Sequence, residues 1–194
     1  MENYLDLDHL KSYAQSHHVR PQWFGLGFVQ LKLDATRRLH FWDPTLATLV
    51  NEKELHDHRY DFTSTVLAGR LDHIVYEFSE HPDGDHQLCE VFCQPEKSAP
   101  PRVLHTGFIQ ETSRQTFTTG QSYHFKQGQF HQGVAAQAVT YLERGAIVSE
   151  TARIIRPCAE AENWLCPFTD TLTTEQAWDA IEMILKKCAT TKAA

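Results

Sequence analysis

Residues 55–71 read LHDHRYDFTSTVLAGRL, and this stretch decides how the rest of the chain is interpreted. His56 and His58 stand two positions apart in a segment rich in aromatic and β-branched residues, which favour strands. Side chains at positions i and i+2 of a strand point to the same face of its sheet. Both imidazoles are therefore predicted to project from one face and to form half of a metal site.

Segments with strand composition continue on both sides of this stretch. Ala68 and Gly69 are interpreted as a turn, after which residues 72–79 pair back as a hairpin. The other strand candidates are residues 28–33, 37–42, 86–94, 102–110, 113–119, 121–125, 138–144 and 153–156. About ten short strands with turn signals between them predict an all-β sandwich or barrel.

Helical patterns occur near the two ends of the chain. Apolar residues at helical spacing predict one helix over about residues 5–18, which Pro21 ends, and a second over about 174–188. Thr173 or Thr174 is the expected N-cap of the second helix. Residues 1–194 are thus interpreted as one domain, with a β core over about 23–157 and a helix packed on at each end.

Composition excludes several classes of protein. The 194 residues are 41% hydrophobic and 22% charged, which is typical of a globular chain. The net charge of −7 and the lack of a basic stripe argue against a nucleic-acid partner, and no long apolar run predicts a membrane span. Five scattered cysteines without a C-x-x-C pair, and no signal-peptide pattern, lead us to expect a cytoplasmic location.

A second histidine-bearing stretch, residues 120–131, supplies the missing half of the metal site. It reads GQSYHFKQGQFH, so a strand candidate runs into a Lys-Gln-Gly turn. His131 follows three residues after Gly128. This histidine is the candidate third ligand beside His56 and His58.

Together the two stretches resemble the cupin family. The first cupin motif contains H-x-H and a closing glycine, and the second contains two glycines and a histidine at fixed spacing. The matching positions are His56, Asp57, His58 and Gly69 for the first motif, and Gly120, Gly128 and His131 for the second. The resemblance covers about residues 51–144 and implies a double-stranded β-helix, the jelly-roll barrel of the cupins.

The chain departs from the cupin pattern at several positions. Val50 stands where the first motif opens with glycine, and Phe62 stands where its glutamate ligand belongs. Lys126 and Ala135 replace the proline and the asparagine of the second motif. A site of three histidines is therefore favoured, with Asp61 as a candidate fourth ligand if a bulge re-aims it.

Three histidines without a carboxylate are similar to the ligand set of the thiol dioxygenase branch of the cupins, which includes the cysteine dioxygenases. That resemblance implies iron(II). Thr63 stands at a position where this branch often has a cysteine. Neutral imidazoles also suit other divalent metals, so Fe(II) is the favoured cofactor and Zn, Ni or Mn stay open.

Further polar residues are candidates for the pocket. Arg59 and Tyr60 lie beside the histidines and are the candidate catalytic groups. The candidate substrate-binding residues are Arg38, His124 and Tyr141. Arg38 can hold a carboxylate by a bidentate fork. His73 lies near a turn and is expected to be solvated.

The favoured function is a metal-dependent cupin that acts as a mononuclear non-haem iron dioxygenase on a small polar substrate carrying a thiol or a carboxylate. One alternative is a non-catalytic or regulatory cupin that binds a small ligand. Another is a zinc or nickel isomerase or hydrolase in which bound water is the base. The expected partner is a small molecule, and the cupin resemblance also implies a homodimer.

Overall fold

A computed structural model describes residues 3–24, 26–47, 55–92, 100–159 and 172–191. These residues form two helices and eleven strands. They are α1 (Leu7–Ser16), β1 (Pro21–Phe24), β2 (Leu26–Lys32), β3 (Arg37–Ala47), β4 (Leu55–His56), β5 (Phe62–Glu80), β6 (His86–Phe92), β7 (Arg102–Thr118), β8 (Ser122–Phe125), β9 (Phe130–Val134), β10 (Ala138–Arg144), β11 (Thr151–Pro157) and α2 (Thr174–Thr191). No helix among them is both long and apolar enough to cross a membrane.

Strand β5 connects two antiparallel sheets, because its two halves have different neighbours. Its first half pairs with β10 and β8, which gives the first sheet the order β1-β2-β3-β10-β5-β8. Its second half pairs with β7 and β9, and the pairings β7-β6-β11-β4-β9 return to β5 as a closed ring. The predicted all-β jelly-roll architecture with a helix near each end is confirmed.

The turn expected at Ala68 and Gly69 is wrong. The strand runs without a break from Phe62 to Glu80, so residues 72–79 continue the first segment and do not fold back on it. Gly69 has a φ of 82°, which bends the strand where it passes from one sheet to the other. The two candidates 102–110 and 113–119 are likewise one strand, β7, with a register shift opposite Val75 and Tyr76.

The first sheet has two faces of different character. On β3, Leu39 and Phe41 are fully buried in the core that includes both helices. The alternate residues Arg38, His40 and Trp42 line a cavity on the opposite face. The period of two along a strand therefore separates a structural face from a ligand face.

Both helices pack on the structural face. Helix α2 begins with a reciprocal cap, since Thr173 Oγ1 accepts from Gln176 N at 3.2 Å and Gln176 Oε1 accepts from Thr173 N at 2.9 Å. Ile181 and Ile184 are fully buried against the sheet. The predicted stripe on this helix is thus a packing face.

Candidate metal centre

A cavity of about 690 Å³ lies between the ligand face of the first sheet and the histidine-bearing segments. Its volume is in the range of sites that take a small organic molecule. The lining mixes aromatic, cationic and imidazole side chains. The lining includes Phe28, Gln30, Lys32, Asp34, Arg38, His40, Trp42, His56, Asp57, His58, Arg59, Tyr60, Tyr123, His131 and Arg144.

Three histidines converge at the wall of this cavity. The register of β4 and β9 sets His56 directly opposite His131, and their ring centroids are 4.7 Å apart. His58 follows β4 by two residues, and its Nε2 lies 2.9 Å from Nε2 of His131. One ring nitrogen from each histidine lies within 4.8 Å of those of the other two. The fold thus joins two stretches that are distant in sequence.

The geometry fits one metal ion. Nitrogens that share an ion at about 2.1 Å lie about 3.0 Å apart at the right angle of octahedral coordination and about 3.4 Å apart in tetrahedral coordination. The separation of 2.9 Å between Nε2 of His58 and Nε2 of His131 is close to the octahedral distance. In the described part of the chain, no aspartate, glutamate or cysteine joins the three histidines. The donor set is therefore all imidazole, which suits iron, zinc, copper or nickel.

Two phenylalanine rings pack against the histidines. The Phe62 ring centroid lies 4.9 Å from that of His58, and the Phe125 centroid lies 4.2 Å from that of His131. Asp61 does not reach the histidines, because its Oδ1 accepts from the backbone N of Gln127 at 2.6 Å on the exposed side of the strand. The candidate fourth ligand of the sequence analysis thus belongs to a turn, and the phenylalanines shield the histidines from water.

A fourth histidine, His73, contacts His131 through the ring nitrogen that does not face His58. It is buried, with 7% of its surface exposed, so the expectation that it is solvated is wrong. Its Nε2 lies 3.0 Å from Nδ1 of His131, and its ring stacks on Tyr123 at 4.4 Å. If His131 held a metal through Nε2, its Nδ1–H would donate to Nε2 of His73. This hydrogen bond would select the tautomer of His131 and fix the orientation of its ring.

Burial keeps these imidazoles neutral. It lowers the pKa of His58 and His131 well below the usual value for histidine, and the neighbouring histidines lower both further. Burial also lowers the pKa of His73 to about 4. A histidine must be neutral to bind a metal, so the site is ready for metal at neutral pH.

Asp57 stands between His56 and His58 and fixes the backbone of this H-x-H segment. Its side chain is buried and bonds to Arg153 of β11, through Nε at 2.7 Å and through the backbone N at 2.6 Å. Arg153 also donates to the Gly128 carbonyl at 3.0 Å and packs over the Phe130 ring. This ion pair therefore ties the H-x-H segment to the turn that precedes His131.

Arg38 and Tyr60 form a pair on the cavity wall. Nη2 of Arg38 donates to the Tyr60 hydroxyl at 2.6 Å, and Nη1 donates to Gln30 Oε1 at 3.1 Å. The ring centroid of Tyr60 is 5.5 Å from that of His58. Arg59 also lines the cavity, because the chain is irregular beyond β4. Three of the candidate residues thus line the same cavity as the histidines.

The structure places His124 and Tyr141 outside the cavity. His124 is exposed and contacts Thr63, since the inward positions of β8 are its neighbours Tyr123 and Phe125. Tyr141 stacks on Tyr4 on the helix-covered face of the sheet. Neither is in position to bind a substrate in the cavity. Strand alternation is the signal that separates them from their inward-facing neighbours.

Comparison with known proteins gives only distant similarity. No family model and no curated protein matches the chain. Hydroquinone 1,2-dioxygenase from Sphingomonas sp. TTNP3, with 4-hydroxybenzoate bound, matches at 12% identity and a TM-score of 0.32, over 59% of this chain and 63% of that one. Hydroquinone 1,2-dioxygenase PnpCD, in complex with Cd2+ and 4-hydroxybenzonitrile, matches at 10% identity and a TM-score of 0.32, over 59% and 61%.

A third structure, E. coli ycfD, matches at 14% identity and a TM-score of 0.32, over 78% of this chain and 39% of that one. The chain spans less than two thirds of the length of each of these proteins. No match supports the thiol dioxygenase branch. At such low similarity the function is inferred from the site itself.

Replacing His73 with phenylalanine is expected to weaken metal binding by about tenfold to a hundredfold, because the hydrogen bond that orients His131 is lost. Titration of the metal-free protein with Zn(II) or Co(II) measures this. His73→Gln offers a carbonyl oxygen to the same Nδ1–H and is expected to restore most of the affinity. Equal affinities of the phenylalanine variant and the parent would show that His73 only fills space.

Proposed function

We propose that this chain is a metal-dependent cupin that holds one iron(II) ion and acts as a mononuclear non-haem dioxygenase. The observation that carries the proposal is the convergence of His56, His58 and His131 on one wall of a cavity large enough for an organic substrate. Three protein ligands leave coordination positions open, which a catalytic metal needs and a structural metal does not.

Bound iron(II) would supply open coordination positions at which an organic substrate and O2 are brought together. The side chains around it have separate tasks. Phe62 and Phe125 cover the histidines and exclude water. The Tyr60 hydroxyl accepts from Arg38, so its own proton is directed to other acceptors and can be donated to a substrate oxygen.

An open iron site can be tested without knowing the substrate. Protein stripped with a chelator and reloaded anaerobically with Fe(II) is exposed to nitric oxide, which occupies the position that O2 would take. We expect one Fe(II) per chain and the EPR signal of a high-spin iron–nitrosyl. The variant His58→Ala is expected to lose the signal, whereas His124→Ala is the matched control that keeps it.

Elemental analysis of protein purified without added metal provides the opposing outcomes. Stoichiometric zinc or nickel with no capacity for iron would favour the isomerase or hydrolase. Absence of metal together with failure to take up Fe(II) would favour a non-catalytic binding protein. Bound iron without a nitrosyl signal would mean a closed coordination sphere and would exclude a dioxygenase.

A further inference from the structure

Several cationic side chains line the cavity without a carboxylate partner among the described residues, and three of them are grouped around Arg38. Arg38 bonds only to neutral groups, Tyr60 Oη and Gln30 Oε1. Nη1 of Arg144 donates to the backbone carbonyl of its neighbour, Gly145, at 2.9 Å. Lys32 forms no ion pair in the described part of the chain. These three side chains are called the cationic cluster below.

The members of the cationic cluster lie close to one another. The guanidinium carbons of Arg38 and Arg144 lie 5.4 Å and 5.3 Å from the Tyr60 ring centroid. Lys32 is directly opposite Arg38 in the register of β2 and β3. Partial desolvation and the charge of Arg38 both lower the pKa of Lys32. The fold thus concentrates positive charge in one place, although the chain as a whole carries −7.

The acidic residues that line the cavity are already engaged. Asp34 Oδ2 accepts from Arg37 Nε at 2.6 Å, and its Oδ1 accepts from the backbone N of Thr36 at 2.7 Å. Asp57 is held by Arg153. Cations elsewhere in the described chain do find carboxylates, as Arg102, Arg114 and Lys187 show. Within the described residues, therefore, no carboxylate neutralises the cationic cluster, and its charge can bind an anionic ligand.

Two aromatic side chains line the cavity at the other end of the paired segments of β2 and β3. Phe28 is directly opposite Trp42 in the register of β2 and β3, and their ring centroids are 4.4 Å apart. The next inward pair is Gln30 opposite His40, followed by Lys32 opposite Arg38. The cationic pair lies four positions along the strand from the aromatic pair, a distance of about 13 Å.

The three histidines lie near the end of β2 and β3 that carries the cationic pair, Lys32 and Arg38. Tyr60 connects the two, since its ring is 5.5 Å from that of His58 and its hydroxyl bonds to Arg38. A ligand anchored at Arg38 would therefore extend past the histidines toward Phe28 and Trp42. The chemistry that fits this layout is an anionic head on an apolar, preferably planar, body.

We infer that the cavity is built for an amphipathic organic carboxylate. Arg38, with Lys32 and Arg144, binds the carboxylate, and Phe28 and Trp42 pack against its apolar body. This inference deepens the proposed function, because it names the substrate class of the same cavity. It also replaces the small polar substrate expected from the sequence with a longer, half-apolar one.

Binding of a matched series to metal-free protein tests the inference. Trp42 lines the cavity, so intrinsic fluorescence in the presence of a chelator reports occupancy. The probes are phenylbutyrate, its neutral amide phenylbutyramide, and butyrate, which lacks the ring. Phenylbutyrate is expected to bind at least about tenfold more tightly than either of the others, since a charged hydrogen bond and a buried ring each contribute that much.

Arg38→Met is expected to weaken phenylbutyrate binding at least about tenfold and to leave phenylbutyramide nearly unchanged. Arg114→Met, on the exposed face of β7, is the matched control. If Arg38→Met does not fold, Lys32→Met at the exposed rim makes the same comparison, with a smaller expected loss.

Equal affinity for the acid and the amide, or no effect of either substitution in the cationic cluster, would overturn the inference. Binding of phenylbutyrate only after metal is added would also overturn it, because the carboxylate would then be a metal ligand. Because these titrations contain no metal, they test carboxylate binding independently of the proposed iron site. A failed carboxylate site leaves the iron test intact, and a failed iron test leaves carboxylate binding measurable.

Discussion

His131→Ala is expected to lower the affinity of the chain for divalent metal by about a hundredfold to a thousandfold, the largest effect that we expect of a single substitution at the site. Each ligand of a protein zinc site contributes about 3–4 kcal/mol, and each 1.4 kcal/mol is a factor of ten. His131 is also the residue on which the site converges, since it faces His56 in the register and lies within hydrogen-bonding distance of His58 and His73.

The measurement is a calorimetric titration of metal-free protein with Zn(II), accompanied by thermal unfolding with and without metal. The parent should gain thermal stability from the ion, whereas His131→Ala should gain none at the same concentration. His124→Ala removes an exposed imidazole from a neighbouring strand and should behave like the parent. If His131→Ala keeps its affinity within tenfold, the metal lies somewhere else.

Much of the fold can be derived from the sequence because strand alternation is a local signal. Leu39 and Phe41 alternate with Arg38 and His40, and the structure assigns these two sets to opposite faces. The cap of α2 is also local, since Thr173 and Gln176 bond to each other. Such features depend on neighbours in the chain, so a reading of the sequence can find them.

The mistaken turn at Ala68 and Gly69 has a physical reason. A glycine between two strand-like segments has the same local appearance whether it reverses the chain or bends a continuous strand. Here the positive φ of Gly69 bends a continuous strand, because the first half of β5 pairs in one sheet and the second half pairs in the other. Only the long-range pairing decides between the two outcomes.

The candidate site, too, was predicted where it depends on local sequence patterns and missed where it depends on long-range pairing. The spacing of the two histidine stretches indicated which imidazoles would meet, and the fold brings them together. His73 was missed because it was interpreted as lying near a turn, although it stands two residues after the buried Leu71 and so shares its side of the strand. The gradient from Phe28 and Trp42 to Lys32 and Arg38 depends on the register between β2 and β3, which no local pattern specifies.

Gly69→Ala is expected to destabilise the protein by about 3–5 kcal/mol, which combines backbone strain with a steric clash. A Cβ at this position would lie 2.1 Å from the carbonyl oxygen of Gln137 and 3.0 Å from Cα of Ala138. Both are backbone atoms of the segment that enters β10, so no side-chain rotation relieves the contact. The Gln137 carbonyl also accepts from Arg70 N at 3.4 Å, and a shift would break that bond.

Gly120→Ala separates the contribution of backbone strain from that of the steric clash. Gly120 has a φ of 87°, close to that of Gly69, but no heavy atom lies within 4 Å of a Cβ built on it. It should therefore lose only the cost of the left-handed backbone, about 1–2 kcal/mol. Denaturant unfolding of both variants measures the difference. Equal losses would mean that Gln137 moves aside at little cost, and that Gly69 is required for its backbone angle alone and not for the close packing of β5 against β10.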